Sequence, residues 1–251
     1  MEKALRLDLR TQVLGHDPKG RTSWQVVQTP AAWPAEQTAL LLCDVWDLHW
    51  SRGANERLAP LLPRMGQVVR VARSLGVRIV HAPSDTMAFY EGMPARQRVQ
   101  AAKSVEPPTP AEREDPPQPV DASDSGTDTG EPTWHKAWSR QHPAIHIDQE
   151  RDGISDQGRE VYSFLRGEGR NRLLIMGVHT NMCVLNRSFA IKQMVKWGME
   201  VALLGDLTDT MYNPARSPYV SHEEGTRLVV EYIEKFWCAT ALSEDVLRSA
   251  D

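Results

Sequence analysis

Arg172-Leu173-Leu174-Ile175-Met176-Gly177-Val178-His179-Thr180-Asn181-Met182-Cys183 reads as a buried strand, a turn opened by glycine, and a cysteine at the start of a helix that continues to Trp197. A strand with one face in water alternates polar and apolar residues. An unbroken apolar run instead marks a parallel strand covered by helices on both faces. The same reading applies to Thr38-Ala39-Leu40-Leu41-Leu42-Cys43-Asp44, taken as the first strand, whose last residue is a carboxylate. Val77–His81 and Val201–Leu204 give further strands, with short ones at 145–147 and 238–242. Between them lie helical patterns at 58–75, 158–165 and 225–236, the first with Pro60 and Pro63 confined to its opening turns and Gly76 at its end. Strands alternating with helices imply right-handed crossovers, hence an α/β fold: a three-layer αβα sandwich around a doubly wound, mainly parallel, six-stranded sheet.

The rhythm fails between about residues 82 and 142. Six prolines (Pro107, Pro108, Pro110, Pro116, Pro117 and Pro119) run into a polar stretch from Asp121 to Gly130. No apolar periodicity there could build a core. The segment is expected to be a lid-like insertion within a single domain covering 1–251, partly docked through Trp134 and Trp138.

With 251 residues and 41% hydrophobic content the chain can bury one large core, and its formal net charge of -4 leaves no basic footprint for nucleic acid. Charges interrupt the apolar residues at the N-terminus and no apolar run reaches membrane-spanning length, so a cytoplasmic protein with no membrane partner is expected. Cys43, Cys183 and Cys238 are an odd number without a CxxC pair, which fits reduced thiols better than disulfides or structural zinc.

Sites in doubly wound sheets lie beyond the carboxyl ends of the strands, which selects Asp44, His81, the Gly177–Cys183 turn and Asp206. At a helix N-terminus Cys183 would meet unpaired amides that favour thiolate and could also hold an oxyanion, with the N–H groups of Cys183 and His179 as donors. Asp44 could take the thiol proton and return it to a leaving amine. Both residues also have plain structural readings, Cys183 as a small buried hydrophobe and Asp44 as a cap for the turn after it. Trp46, His49, Trp50, His81, Phe89 and Tyr90 fall at the same sheet edge and are candidates to wall a pocket, although for His81 a supporting hydrogen bond is an equal alternative. Asp206 and Asp209 are read as braces for their loop. Neither Asp47-Leu48-His49 nor Asp121, Asp124 and Asp128 has the placement of a metal site, so no metal and no cofactor is expected.

The order of Asp44 at a strand end, Gly177-Val178-x-Thr180-Asn181-x-Cys183-Val184, and Asp206 after the next strand resembles the isochorismatase-like cysteine hydrolases, which include nicotinamidases and carbamoyl amidases. The resemblance spans about 40–243 apart from the proline-rich insertion. It implies a catalytic Asp, Lys and Cys, a thioester intermediate, a cis peptide at Val178-His179, and assembly into homo-oligomers. The family lysine usually stands four residues before a Ser, and counting back from Ser155 lands on Arg151. Lys136 is the nearest lysine and would reach the site only through an inward fold of the lid. Arg151 is preferred for position and Lys136 for proton transfer, because a guanidinium is a poor proton donor.

The leading expectation is therefore a hydrolase cleaving a C–N bond of a small amide, ureide or carbamoyl compound. A catalytically inactive binding or scaffold protein of the same fold is the competing one, favoured by the missing lysine. A dinucleotide oxidoreductase is disfavoured because no GxGxxG follows the first strand.

Overall fold

The computed structural model describes residues 3–131 and 134–250. Its strands are β1 (Ala4–His16), β2 (Thr22–Pro34), β3 (Thr38–Cys43), β4 (Arg78–Ala82), β5 (Gly153–Ile154), β6 (Arg172–Val178), β7 (Glu200–Asp209) and β8 (Ala239–Ala241). They form one sheet in the order β2-β1-β8-β7-β6-β3-β4-β5. The stretch from β8 to β5 is parallel throughout and supplies the six strands of the expected core sheet. The other two are a correction: β1 and β2 form a long antiparallel hairpin that extends the sheet beyond β8. Its signal was the alternation of Leu5, Leu7 and Leu9 with charged residues, which buries Leu5 and Leu7.

The central strands explain the apolar runs. Along β3, Leu40 and Leu42 pack with Met65, Val68 and Ala72 of α2 (Leu62–Leu75), while Leu41 and Cys43 point to the other layer, with Val161 and Leu165 of α4 (Gly158–Gly167). That second layer also holds Ile191 and Met194 of α5 (Ile191–Lys196) and Val229 and Ile233 of α6 (His222–Phe236). Two helical layers on one sheet leave no solvated face, hence no alternation. The short helices α1 (Arg52–Leu58), α3 (Pro94–Gln100) and α7 (Ser243–Arg248) complete the set.

Three local expectations change. Residues 145–147 form no strand: buried Ile145 follows a turn and its amide donates to the His142 carbonyl, and the edge strand is the two-residue β5. The helix expected over 58–75 starts later, at Leu62, and ends at Leu75 as expected, while Leu58 closes the preceding α1, whose 52–58 range was not expected. The helix expected from Cys183 to Trp197 is also interrupted: a π turn, Thr180–Val184, carries the cysteine, and α5 begins only at Ile191.

The insertion runs as a strap over the molecule. The Ala111 amide donates to the Lys196 carbonyl, Asp115 pairs with Lys192 at 2.8 Å, and Gln118 donates to the carbonyl of Asn181. Arg57 of α1 then holds Asp128 at 2.8 Å. The strap thus passes directly over the end of β6.

Candidate active site

β3 and β6 are neighbours, and at their carboxyl ends the two chains nearly touch. A Cβ on Gly177 would sit 2.0 Å from the Cys43 carbonyl oxygen, and Gly177 has φ +131°, so only glycine fits there. This close approach brings Asp44 and the following turn together. Asp44 itself has φ +50°, a left-handed conformation that aspartate tolerates better than most residues. The Val178-His179 peptide is cis.

The Cys183 thiol and the Asp44 carboxyl are neighbours, close enough that each shifts the other. Asp44 is fully buried and accepts from the Ser84 amide at 2.7 Å and from Nε of Arg187 at 3.1 Å. Burial pushes the Asp44 carboxyl up, against the opposing pull of Arg187 and of its hydrogen bonds. Burial and then the neighbouring Asp44 charge push the Cys183 thiol up as well. Burial and the neighbouring carboxyl thus oppose the pull toward thiolate that a helix N-terminus exerts. The thiol stands beside a carboxyl whose basicity burial has raised.

The cation at this pair is Arg187, neither of the expected Arg151 and Lys136. Arg151 is at the opposite, amino-terminal edge of the sheet. Its guanidinium pairs with Asp148 at 2.6 Å, and its carbonyl accepts from Arg78 at the start of β4. Lys136 donates to the main-chain oxygen of Asp85 at the pocket rim and contacts neither Cys183 nor Asp44. Arg187 stands four residues after Cys183, a spacing that places two side chains on one side of a helical turn and was the available signal.

Above the thiol opens a cavity of about 460 Å³. Trp46, His49, Trp50 and His179 line it, with Met182, Met211 and Arg187, and the strap adds Ser123, Ser125, Trp134 and Trp138. Trp46 and Trp138 stack with ring centroids 4.0 Å apart and planes 8° from parallel. Burial drops His49 to about 4 and His179 to about 3, so both rings are neutral at pH 7. The pocket is thus aromatic, with its fixed charges gathered at Arg187 and Asp85, 3.5 Å apart.

The remaining sequence candidates lie elsewhere. His81 is fully buried between Gln141 (2.8 Å) and Asp152 (3.0 Å), the supporting role left open above. Tyr90 is buried with its hydroxyl accepting from the Gln141 amide, and Phe89 is exposed beneath the guanidinium of Arg140; neither lines the pocket. Asp206 caps α7 through Ser243, and Asp209 joins Arg57 to His222. Among the described residues no group of three or more His, Cys, Asp or Glu side chains is arranged to hold a metal ion, and no helix is long and apolar enough to cross a membrane.

Comparison with known proteins places this geometry. The Isochorismatase domain family is matched over residues 38–217. Among solved structures, a cysteine hydrolase from Pseudomonas syringae pv. phaseolicola 1448A superposes with a TM-score of 0.55 at 14% identity, covering 86% of this chain and 93% of the other. An isochorismatase family protein from Burkholderia thailandensis gives 0.49 at 15% identity, covering 86% and 96%, and an isochorismatase from Pseudomonas putida KT2440 gives 0.49 at 10% identity, covering 84% and 90%. At such identities the likeness concerns the fold. No curated protein matches the chain.

Proposed function

The chain belongs to the isochorismatase family, and we propose that within it this protein is a cysteine hydrolase cleaving a C–N bond of a small amide, ureide or carbamoyl compound. The observation that carries the reading is the Cys183 thiol beside the buried, Arg187-paired carboxyl of Asp44 at the floor of an aromatic cavity. Sulfur attacks the substrate carbonyl carbon as its proton passes to Asp44. The oxyanion is held by main-chain amides of the 178–183 turn. Asp44 then gives that proton to the leaving nitrogen, the C–N bond breaks, and an acyl thioester remains. In the second half Asp44 takes a proton from water as the oxygen attacks. The C–S bond breaks, and the proton returns from Asp44 to sulfur. Each turnover consumes one water and leaves the pair as it began.

A screen of small amides, ureides and carbamoyl compounds for ammonia release tests this, with Cys183→Ala as control. Turnover by the wild type with none above background in the variant is the expected result. Ammonia release by Cys183→Ala equal to wild type would sink the mechanism. A folded wild type without activity on any member of the set would favour a binding protein of the same fold.

A further inference from the structure

We infer that Arg187 is the third catalytic residue of this site, supplying the fixed positive charge at the thiol–carboxylate pair from the nucleophile's own turn. The inference rests on the reading of Cys183 as nucleophile and goes beyond it.

Several contacts converge on this one guanidinium. Its main-chain amide donates to the Cys183 carbonyl at 3.0 Å, so its backbone is tied to the reacting residue. Nε reaches Asp44 at 3.1 Å, a second nitrogen stands 3.5 Å from Asp85, and Cys183 lines the same cavity as the guanidinium. The side chain is one-third exposed, and that exposure faces the cavity it lines beside Cys183. A cation that only braced the fold would have no need to border the reacting sulfur and the substrate space together.

Charge explains why one is required. Asp44 is fully buried, and an ionised carboxylate in that position is costly unless an opposite charge lies beside it. Without Arg187 the carboxyl would hold a proton and could not accept another from sulfur. When the thiol proton moves to Asp44, negative charge passes to the substrate oxygen held by the turn amides, while the guanidinium stays beside the reacting pair. The groups that face Arg187 are Asp44 from the end of β3, Asp85 from the loop after β4, and Cys183 from the π turn. A guanidinium keeps its proton under all working conditions. Every proton in this site therefore travels through Asp44, and the cation acts only by its field and its hydrogen bonds.

Iodoacetamide tests the assignment without knowledge of the substrate. Its reaction forms an S–C bond at Cys183, breaks the C–I bond and releases iodide, while the thiol proton goes to Asp44. Alkylation of each cysteine is followed by mass spectrometry in wild type, Arg187→Gln, Arg187→Lys and Asp44→Asn, with Tm measured alongside. Slowing of Cys183 alkylation by about tenfold or more in Arg187→Gln is expected, with Arg187→Lys recovering to within about threefold of wild type. A rate in Arg187→Gln equal to wild type would overturn the role given to Arg187. A rate in Asp44→Asn equal to wild type would overturn the thiol–carboxylate reading instead. Should Arg187→Gln fail to fold, Arg187→Lys decides, because a loss as deep as that of Asp44→Asn despite the retained charge contradicts a role through the field.

Discussion

Two buried carboxylates in this molecule each face an arginine, and they are held in opposite chemical conditions. Asp152 receives Nε and a terminal nitrogen of Arg73 at 3.0 and 2.6 Å, the Asp148 amide at 2.8 Å and the His81 ring at 3.0 Å. Burial would raise its carboxyl, but the bonds from His81 and Arg73 outweigh it and hold the group down at about 2. Asp44 has one amide and one guanidinium nitrogen, with a thiol as neighbour, and there burial wins. A carboxylate saturated with donors is a structural anion. One left short of donors beside a thiol is suited to act as a base, the role proposed for Asp44.

The largest effect separating the two should come from amide substitution of each. Asp44→Asn removes the proton acceptor and should lower turnover by about 10²–10⁴-fold, while Tm changes little, because Arg187 keeps Asp85 as a partner and is one-third exposed. Asp152→Asn should do the reverse. It strands Arg73, 8% exposed in its side chain, opposite an uncharged group, and should cost about 3–5 kcal/mol in urea unfolding while the folded enzyme keeps its turnover. If both variants lost activity in proportion to stability, the distinction between anion and base would collapse.

A smaller effect follows from acid. Asp152 has a folded value of about 2 against an ordinary 3.8. A depressed carboxyl stabilises the fold above its unfolded value and loses that contribution as pH falls from about 4 to 2, here about 2 kcal/mol. Asp44, raised in the fold, has the opposite sign: its contribution is present at low pH and disappears as pH rises through its folded value. Urea unfolding of wild type and Asp152→Asn between pH 7 and pH 2.5 should therefore show the stability gap narrowing with acid. A constant gap would mean that Asp152 does not titrate as its surroundings require.

What could be read in the chain depended on whether a feature was local. The central strands declared themselves through runs such as Leu40–Cys43 and Leu173–Met176, since burial on both faces leaves a mark in consecutive residues. The turn of Gly177 to Cys183 was legible for the same reason. β5 was not, because two residues carry no period, and its place beside His81 is set by the partner strand. The break after Asn186 was hidden because helix-forming residues continue through it, and the glycine of α4 that packs against Ser188 is thirty positions away. Likewise the pocket's far wall comes from Trp134 and Trp138, in a strap whose composition showed only that it lacked a core of its own.

The cation shows how local and spatial signals diverge. Counting from Ser155 selected Arg151, but position along the chain does not fix which edge of a parallel sheet a residue joins. Asp148 and Asp152 turn the chain back at the amino-terminal side, so the Arg151 side chain points to water with 63% exposure and pairs only with Asp148, three residues away. Pairs of that kind contribute little, because water screens both charges and two side chains must be ordered to form them. Arg151→Ala should accordingly leave turnover within about twofold and stability within about 0.5 kcal/mol of wild type. Arg187→Gln, measured on the same substrate, should lower kcat with KM nearly unchanged. If instead Arg151→Ala lost activity and Arg187→Gln retained it, the positive charge would have to reach the thiol from the far edge of the sheet, across the apolar layer of Leu40, Ile79 and Leu174, and the close pairing of Asp44 with Arg187 would have no part in the chemistry.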